Sequence, residues 1–206
     1  MLLNSKVKGM TIYRTLFFLP SLVPTIPLAV LWIWLLNGQY GIVNHGLGKL
    51  GIASSKLPDW LGSPLWSKPS LVLMGLWGVG GSMLIYLASL QDVPQSLVEA
   101  AELDGASPWQ KTLNVTLPMI SPVILFNMIM GLIGCLQVFA LPYVMFPGGS
   151  PERSTYFYAT YLFDNAFRFN KMGYASAMGW IMFLVIFLLT IVVLKFSEKR
   201  VHYGGG

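Results

Sequence analysis

The stretch from Tyr174 to Phe196, YASAMGWIMFLVIFLLTIVVLKF, contains no ionised side chain before Lys195. A helix needs about 20 apolar residues to cross the hydrocarbon core of a bilayer, and a charge near the bilayer centre is costly. Buried helices of soluble proteins are usually shorter and more amphipathic. The stretch therefore predicts a transmembrane helix at 174–196.

Three further apolar stretches lie upstream, at about 15–36, 70–90 and 117–141. The composition agrees with them, because 55% of the 206 residues are hydrophobic and only 10% are charged. A soluble domain usually has about 25% charged residues. We therefore expect an all-α, multi-pass membrane protein with four transmembrane helices in a single domain over residues 1–206.

The positions of lysine and arginine predict how the chain is oriented in the membrane. Short cytoplasmic segments of membrane proteins are enriched in these residues. Four spans place both ends of the chain on one side, so we expect a cell inner-membrane protein with cytoplasmic N- and C-termini. The segment at about 91–116 is then cytoplasmic as well. Basic residues precede the first predicted span and follow the last at Lys6, Lys8, Arg14, Lys195, Lys199 and Arg200.

Several function classes are disfavoured by what the sequence contains. The net charge of +5 is scattered, and no basic run is interleaved with aromatic residues, so nucleic acid is not an expected partner. The single cysteine, Cys135, cannot form an internal disulfide. His45 and His202 have no cysteine or carboxylate at ligand spacing, so we expect neither a metal site nor a cofactor.

Enzymatic motifs are not found either. A phosphate-binding loop needs Ser or Thr after its Gly-Lys pair, but Gly48 and Lys49 are followed by Leu50. The two isolated histidines cannot be combined into a Ser/His/Asp or Cys/His arrangement. We therefore expect that the chain is not an enzyme, and that any ATP hydrolysis linked to it comes from a partner.

The predicted cytoplasmic segment encodes two short helices joined at a glycine. Pro94 suits a first helical turn, where its missing N–H is no loss. Gly105 suits the left-handed position just past a helix end. Ser107 suits an N-cap, and Gln110 three residues later completes a capping box. These signals predict a stiff helix–glycine–helix element that leads into the third span.

This element is acidic, with Glu99, Glu102 and Asp104 within six residues of one another. An acidic helix on the cytoplasmic side runs against the positive-inside tendency. A partner with a basic or polar cleft would account for it, whereas the alternative is a solvated charged face.

The segment also resembles a known loop. Glu99-Ala100-Ala101, Asp104-Gly105-Ala106 and Leu117-Pro118 together are similar to the EAA loop of ABC importer permeases. The resemblance implies the MetI-like permease core, in which this loop forms a coupling helix that docks into a groove of the ATPase subunit. It implies that the contacts to the ATPase are made by Glu99, Ala100, Ala101, Asp104 and Gly105.

Four other stretches resemble the carbohydrate (maltose and glycerol-3-phosphate) permeases: 14–20, 137–139, 147–149 and 172–177. This resemblance implies a membrane-spanning subunit of an ATP-driven importer for a sugar or sugar-like solute. Its implied partners are an ABC ATPase dimer, a second permease subunit, an extracytoplasmic solute-binding protein, membrane lipid and the small-molecule sugar itself.

The third span carries the candidates for a substrate path. Polar side chains within apolar spans are functional candidates by default, and Asn127 and Gln137 are of this kind. Phe139 and Tyr143 could stack on a sugar face. The alternative is that the two amides bond neighbouring helices.

Related permeases usually have one or two more spans before the position where this chain begins, and Met1–Asn4 resembles the tail of such a span. We therefore expect N-terminal spans to be missing, so that the chain is a fragment or a truncated gene product. Three rival functions remain open: a nonfunctional or regulatory fragment, a permease for a non-sugar solute, and a passive channel or proton-coupled carrier. A carrier would more often show an intramembrane carboxylate or histidine relay.

Overall fold

The computed structural model describes residues 8–198 and residue 201. That part of the chain is all-α and contains no β-strand, so the predicted fold class is confirmed. Its α-helices are α1 (Met10–Phe18), α2 (Thr25–Leu35), α3 (Ile42–Lys49), α4 (Pro64–Trp77), α5 (Gly80–Gln91), α6 (Gln95–Leu103), α7 (Pro108–Lys111), α8 (Leu117–Met119), α9 (Ser121–Leu136), α10 (Ala140–Met145), α11 (Tyr158–Phe163) and α12 (Met172–Ser197). Shorter helical turns connect them, of 3-10 type at Leu19–Leu22, Ser54–Lys56 and Pro147–Gly149 and of π type at Thr112–Thr116 and Asp164–Arg168.

Two helical segments in the described part of the chain are long and apolar enough to cross a membrane, namely Ser121–Met145, which contains α9 and α10, and Met172–Ser197, which is α12. They overlap the spans predicted at 117–141 and 174–196. Two further helix pairs meet the same criterion only when each pair is taken together across a short bent break. The number of candidate spans is therefore two, or up to four if each bent pair is one span.

The first two predicted spans, 15–36 and 70–90, are each interrupted by a break between two helices. In the first, α1 gives way to a 3-10 turn and α2 begins only after Pro24, whose backbone is extended at φ −59° and ψ 147°. In the second, α4 ends at Trp77 with Gly78 as its C-cap, and α5 begins at Gly80. Proline lacks the backbone donor that a helix interior needs, and glycine is a poor helix former, so the chain is interrupted at these residues.

The described residues group into two compact units. The first unit takes its described residues from within the ranges Met1–Phe18, Gly80–Gly134 and Phe183–Gly206. Within it, α1 packs closely on α5 at Gly80. A Cβ atom placed on Gly80 would overlap the carbonyl oxygen of Phe17 and lie 2.8 Å from the Cα of Phe18. Glycine at this position therefore allows the two helix backbones to touch, as small residues do between membrane helices.

The second unit takes its residues from Leu19–Val79 and Cys135–Met182. Its apolar core joins side chains of α2 and α4 to the end of α10. A T-shaped pair of indole rings, Trp32 and Trp77, adds to this core with centroids 5.9 Å apart. The buried members of the core are Ala29, Trp32, Leu36, Met74, Met145 and Phe146.

Some sequence expectations concern residues that the structure does not describe. Lys6, Lys199 and Arg200, which carry part of the orientation prediction, lie outside the described residues. The same holds for His202 and for the segment Met1–Asn4.

Candidate functional site

The first candidate site is the helix–glycine–helix element at residues 95–111, which we call the elbow and which lies in the first unit. Helix α6 ends at Leu103, and Gly105 adopts a left-handed backbone with φ +75°. The chain then turns back on the helix, because the amide of Ala106 donates to the carbonyl oxygen of Ala101 at 2.9 Å. This is the helix-terminating turn predicted from Gly105, and that prediction is confirmed.

Two reciprocal hydrogen bonds between Ser107 and Gln110 cap the N-terminus of α7. The Gln110 amide donates to the Ser107 hydroxyl at 3.4 Å, and the Ser107 amide donates to the Gln110 side-chain oxygen at 2.8 Å. The predicted capping box is therefore confirmed. Pro94 lies one residue earlier than expected, at the N-cap of α6 and not in its first turn.

An ion pair crosses the turn of the elbow. The Lys111 ammonium group bonds the Glu102 carboxylate, and so joins α7 to the last turn of α6. Glu99 and Asp104, the other two carboxylates of the elbow, form no ion pair with any described residue. Exposed ion pairs are weak individually, but this one adds to the backbone bond and the capping box in fixing one geometry of the elbow.

The surface of the elbow is partly apolar. Leu103 is 90% exposed and Trp109 is 70% exposed, on either side of Gly105. A contiguous exposed apolar patch with polar neighbours marks an interaction site, and Leu103 and Trp109 are candidate members of such a patch on the elbow. Sequence reasoning missed both residues, although their signal was available as large apolar residues in a segment predicted to face water.

The five residues predicted to contact a partner all lie in the elbow. Most are exposed, and Ala101 is half-buried because its carbonyl accepts the returning chain. A Cβ atom on Gly105 would meet no atom within 4 Å, so only its backbone angle requires glycine. The exposed members of the set are Glu99, Ala100, Asp104 and Gly105.

The second candidate site is a short unwound stretch in the third span. Helix α9 ends at Leu136 and α10 begins at Ala140, so Gln137, Val138 and Phe139 are outside regular helix. Phe139 has the unusual backbone angles φ −141° and ψ −63°. Irregular backbone at membrane depth is tolerated only where it is buried in protein or lines a water-filled cavity. The exposed side chain of Gln137 is carried by this stretch.

Phe139 and Tyr143 are brought together in the second unit, with ring centroids 5.0 Å apart. Both rings also contact Phe163, at 4.9 and 5.2 Å, and Phe163 contacts Phe167 at 4.8 Å. Sequence reasoning missed Phe163 and Phe167. Their spacing of four residues in a helical segment would have placed them on one face.

Asn127 behaves differently from Gln137. It belongs to the first unit, and its side-chain amide donates to the carbonyl oxygen of Val123 at 3.0 Å. This bond lies within α9 and uses one donor of the side-chain amide, so the role of Asn127 in a solute path stays a prediction. Short polar side chains often bond the carbonyl one turn back.

A polar network around the buried Asp164 supports the stretch between α10 and α12. The Tyr156 hydroxyl donates to the Asp164 carboxylate at 2.6 Å, and Asp164 is only 2% exposed. Burial is the largest cause that raises the pKa of Tyr156 to about 12, and the Asp164 carboxylate, which accepts a hydrogen bond from the hydroxyl, contributes to the same rise. The Arg168 guanidinium is 3.5 Å from Asp164. This network fixes the polypeptide that precedes α12.

Together these features define a multi-pass membrane protein with an exposed, conformationally fixed elbow between apolar helices. Residues 3–203 match the family described as binding-protein-dependent transport system inner membrane component. The chain belongs to this family.

Several curated proteins are similar over almost the whole chain. The probable ABC transporter permease protein YesP of Bacillus subtilis is 40% identical over 98% of this chain. The trehalose/maltose transport system permease protein MalF of Thermococcus litoralis is 34% identical over 97% of it. The lactose transport system permease protein LacF of Rhizobium radiobacter is 32% identical, also over 97%. The aligned regions cover 65%, 66% and 67% of these relatives, so this chain spans about two thirds of their length.

A solved structure has the same fold. It is a bacterial alginate ABC transporter in complex with an alginate pentasaccharide-bound periplasmic protein, and one of its chains superposes with a TM-score of 0.85. The sequences are 23% identical, and the match covers 96% of this chain and 69% of the other. The permease fold predicted from the sequence is therefore confirmed.

Proposed function

We propose that the chain is a membrane-spanning permease subunit of an ATP-driven importer for a sugar or sugar-like solute. Membership of the binding-protein-dependent transport family supports the transport role. The names of similar proteins support the solute class, since they include permeases for trehalose and maltose, for lactose and for arabinooligosaccharides. In this proposal the chain is not an enzyme, and ATP hydrolysis is supplied by a partner ATPase dimer.

The elbow is the proposed contact with the ATPase, and its geometry is the observation that carries the proposal. A helix that transmits a displacement must not bend, and the Ala106–Ala101 bond, the capping box and the Glu102–Lys111 pair all resist bending. Leu103 and Trp109 provide exposed apolar surface next to free carboxylates. Interfaces commonly combine such an apolar centre with a charged rim.

The unwound stretch at 137–139 is the proposed part of the solute path. Discontinuous membrane helices form the substrate sites of many transporters because their freed backbone groups and side chains face a cavity. Gln137 would bond sugar hydroxyls there, while Phe139 and Tyr143 would offer ring faces. Asn127 is a weaker candidate because its amide is occupied within its own helix.

The remaining partners and the orientation follow from the same proposal. A second permease subunit, lipid and an extracytoplasmic solute-binding protein would cover the exposed apolar and polar surfaces of the two units. Lys8, Arg14 and Lys195 support cytoplasmic ends. The elbow would then lie on the same side as the ATPase.

Co-purification tests the docking proposal directly. The chain is co-expressed with the ATPase subunit of a sugar ABC importer, and the amount of ATPase recovered is measured for wild type and for Leu103→Ser. We expect the substitution to reduce recovery at least fivefold, because a large apolar contact at the centre of an interface is replaced by a hydroxyl.

Leu65→Ser is the matched control, since Leu65 is 75% exposed but lies in α4 and not in the elbow. We expect it to leave ATPase recovery unchanged. Equal recovery with the Leu103 and Leu65 variants, or no recovery with the wild-type chain, would contradict the proposed docking role.

A further inference from the structure

A cleft of about 350 Å³, with both polar and apolar side chains in its walls, lies beside α3 in the second unit. Its volume is at the lower end of the range found for small-molecule sites, about 300–1,000 Å³. Two glycines, Gly38 and Gly48, leave space in its wall. The polar side chains that line it belong to Gln39, Tyr40, His45 and Lys49. None of these residues takes part in the elbow or in the unwound stretch of the third span.

The walls of the cleft are fixed by hydrogen bonds. The buried Asn44 amide donates to the carbonyl oxygens of Gly38 and Pro58, at 3.2 and 3.0 Å. Its side-chain oxygen accepts a bond from the Trp60 indole at 2.8 Å. These contacts hold α3 against the loop that follows it. The cleft is therefore preformed, which lowers the entropic cost of binding.

A second set of bonds shapes the opposite wall. The Asn37 side-chain oxygen accepts from the amides of Gln39 and Tyr40, at 2.9 and 3.2 Å. This Asx-type turn presents both side chains next to α3. Tyr40 is 64% exposed, so the face of its ring is accessible.

The charge of the cleft is positive. His45 and Lys49 are four residues apart on α3 and line the cleft together. Of the described residues that line it, none is acidic. The carboxylate of Asp59, which faces Gly38, accepts a bond from the Gly62 amide at 2.9 Å. The cleft therefore favours an anion.

We propose that this cleft binds a uronate-type monosaccharide. The Lys49 ammonium group meets the carboxylate, Gln39 and His45 bond ring hydroxyls, and the sugar ring lies against Tyr40. An acidic side chain of a docked protein would fill only a small part of this volume, whereas a sugar acid uses both the charge and the space. The saccharide class rests on the proposed sugar-import function, but the anion preference rests on the cleft alone.

Binding to the purified full chain in lipid nanodiscs tests the inference. Isothermal titration compares galacturonate with galactose, which lacks the carboxylate but is otherwise similar. We expect galacturonate to bind at least tenfold more tightly than galactose, since charge-assisted hydrogen bonds are the strong ones. Lys49→Gln should weaken galacturonate binding at least tenfold, and Lys49→Arg should restore most of it.

Lys56→Gln is the matched control, because Lys56 is an exposed lysine of the same loop that does not line the cleft. It should leave binding unchanged. Any of three results would overturn the proposal. Galactose could bind as tightly as galacturonate, Lys49→Gln could leave galacturonate binding unchanged, or acetate could displace galacturonate at an equal concentration. These outcomes do not depend on ATPase recovery, so failure of the cleft and failure of the proposed transport function are distinguishable.

Discussion

Ala106 donates its backbone amide to the carbonyl oxygen of Ala101 at 2.9 Å, and this bond closes the elbow. The bond forms because Gly105 turns the chain back with φ +75°. An L-residue in this conformation costs roughly 1–2 kcal/mol, and β-branched residues are least able to adopt it. The stiffness of the proposed coupling element therefore depends on one glycine.

The first prediction concerns this glycine. Gly105→Val should open the turn and uncouple ATP hydrolysis from uptake, because valine resists positive φ. Since no atom lies within 4 Å of the position of a Cβ, the effect comes from the backbone and not from a clash. Uptake of radiolabelled sugar and ATP hydrolysis are measured in the same reconstituted transporter.

Gly105→Asn is the control, because asparagine tolerates the left-handed region better than other residues that carry a side chain. It should keep most of the coupling. Normal uptake by the Gly105→Val permease would contradict the proposed role of the elbow.

The local sequence signals predicted the elbow and the positions of the apolar spans, but not the geometry of the breaks within the first two spans. Gly105 and the Ser107–Gln110 capping box depend on neighbouring residues only, so their geometry could be inferred from the sequence. Pro24 and Gly78 are residues that can interrupt a helix, so the sequence offers them as possible break points. Whether a helix continues across such residues depends on its packing partners. The sequence predicts the position of each span, whereas the geometry of a break within it depends on tertiary contacts.

The side-chain partners of the candidate sites could not be predicted, because they depend on tertiary contacts. Asn127 and Gln137 have equivalent amides in one apolar run, yet the first bonds its own helix and the second lies in an unwound stretch. Nothing in the sequence around Asp164 indicates that its carboxylate is buried. Its burial against Tyr156 becomes apparent only from the fold.

The second prediction distinguishes the roles of the Gln137 and Asn127 side-chain amides in sugar uptake. Gln137→Leu should raise the KM for sugar uptake about tenfold or more, because the unwound stretch would lose its polar group. Asn127→Leu should change KM little, since only a bond within α9 is removed. Concentration-dependent uptake measures both values, and equal effects of the two substitutions would contradict the proposed path.

The third prediction concerns the close contact of α1 with α5. Gly80→Ala should destabilise the protein by about 1–3 kcal/mol, the usual cost of overpacking, because a Cβ atom would overlap the backbone of Phe17. Gly81→Ala is the matched control, since its Cβ would meet no atom within 4 Å. Thermal unfolding in detergent should give a lower Tm for the Gly80 variant only.

The last prediction concerns Tyr156, which lies outside the candidate membrane spans. Its pKa is raised from 10.0 to about 12 in the folded protein, first by burial and then by the bond to Asp164. A raised pKa means that the folded state holds the proton more tightly than the unfolded state. The resulting stabilisation is fully present below pH 10 and is lost as the pH rises from 10 to about 12.

Melting temperature measured against pH therefore distinguishes the wild type from Tyr156→Phe. The difference in Tm between them should shrink between pH 10 and 12, because ionised Tyr156 faces the Asp164 carboxylate. In Asp164→Asn the amide oxygen can still accept the hydroxyl proton, but the negative charge is removed. Tyrosinate absorbance should then place the Tyr156 transition closer to pH 10 than in the wild type, and an unchanged transition would mean that burial alone sets this pKa.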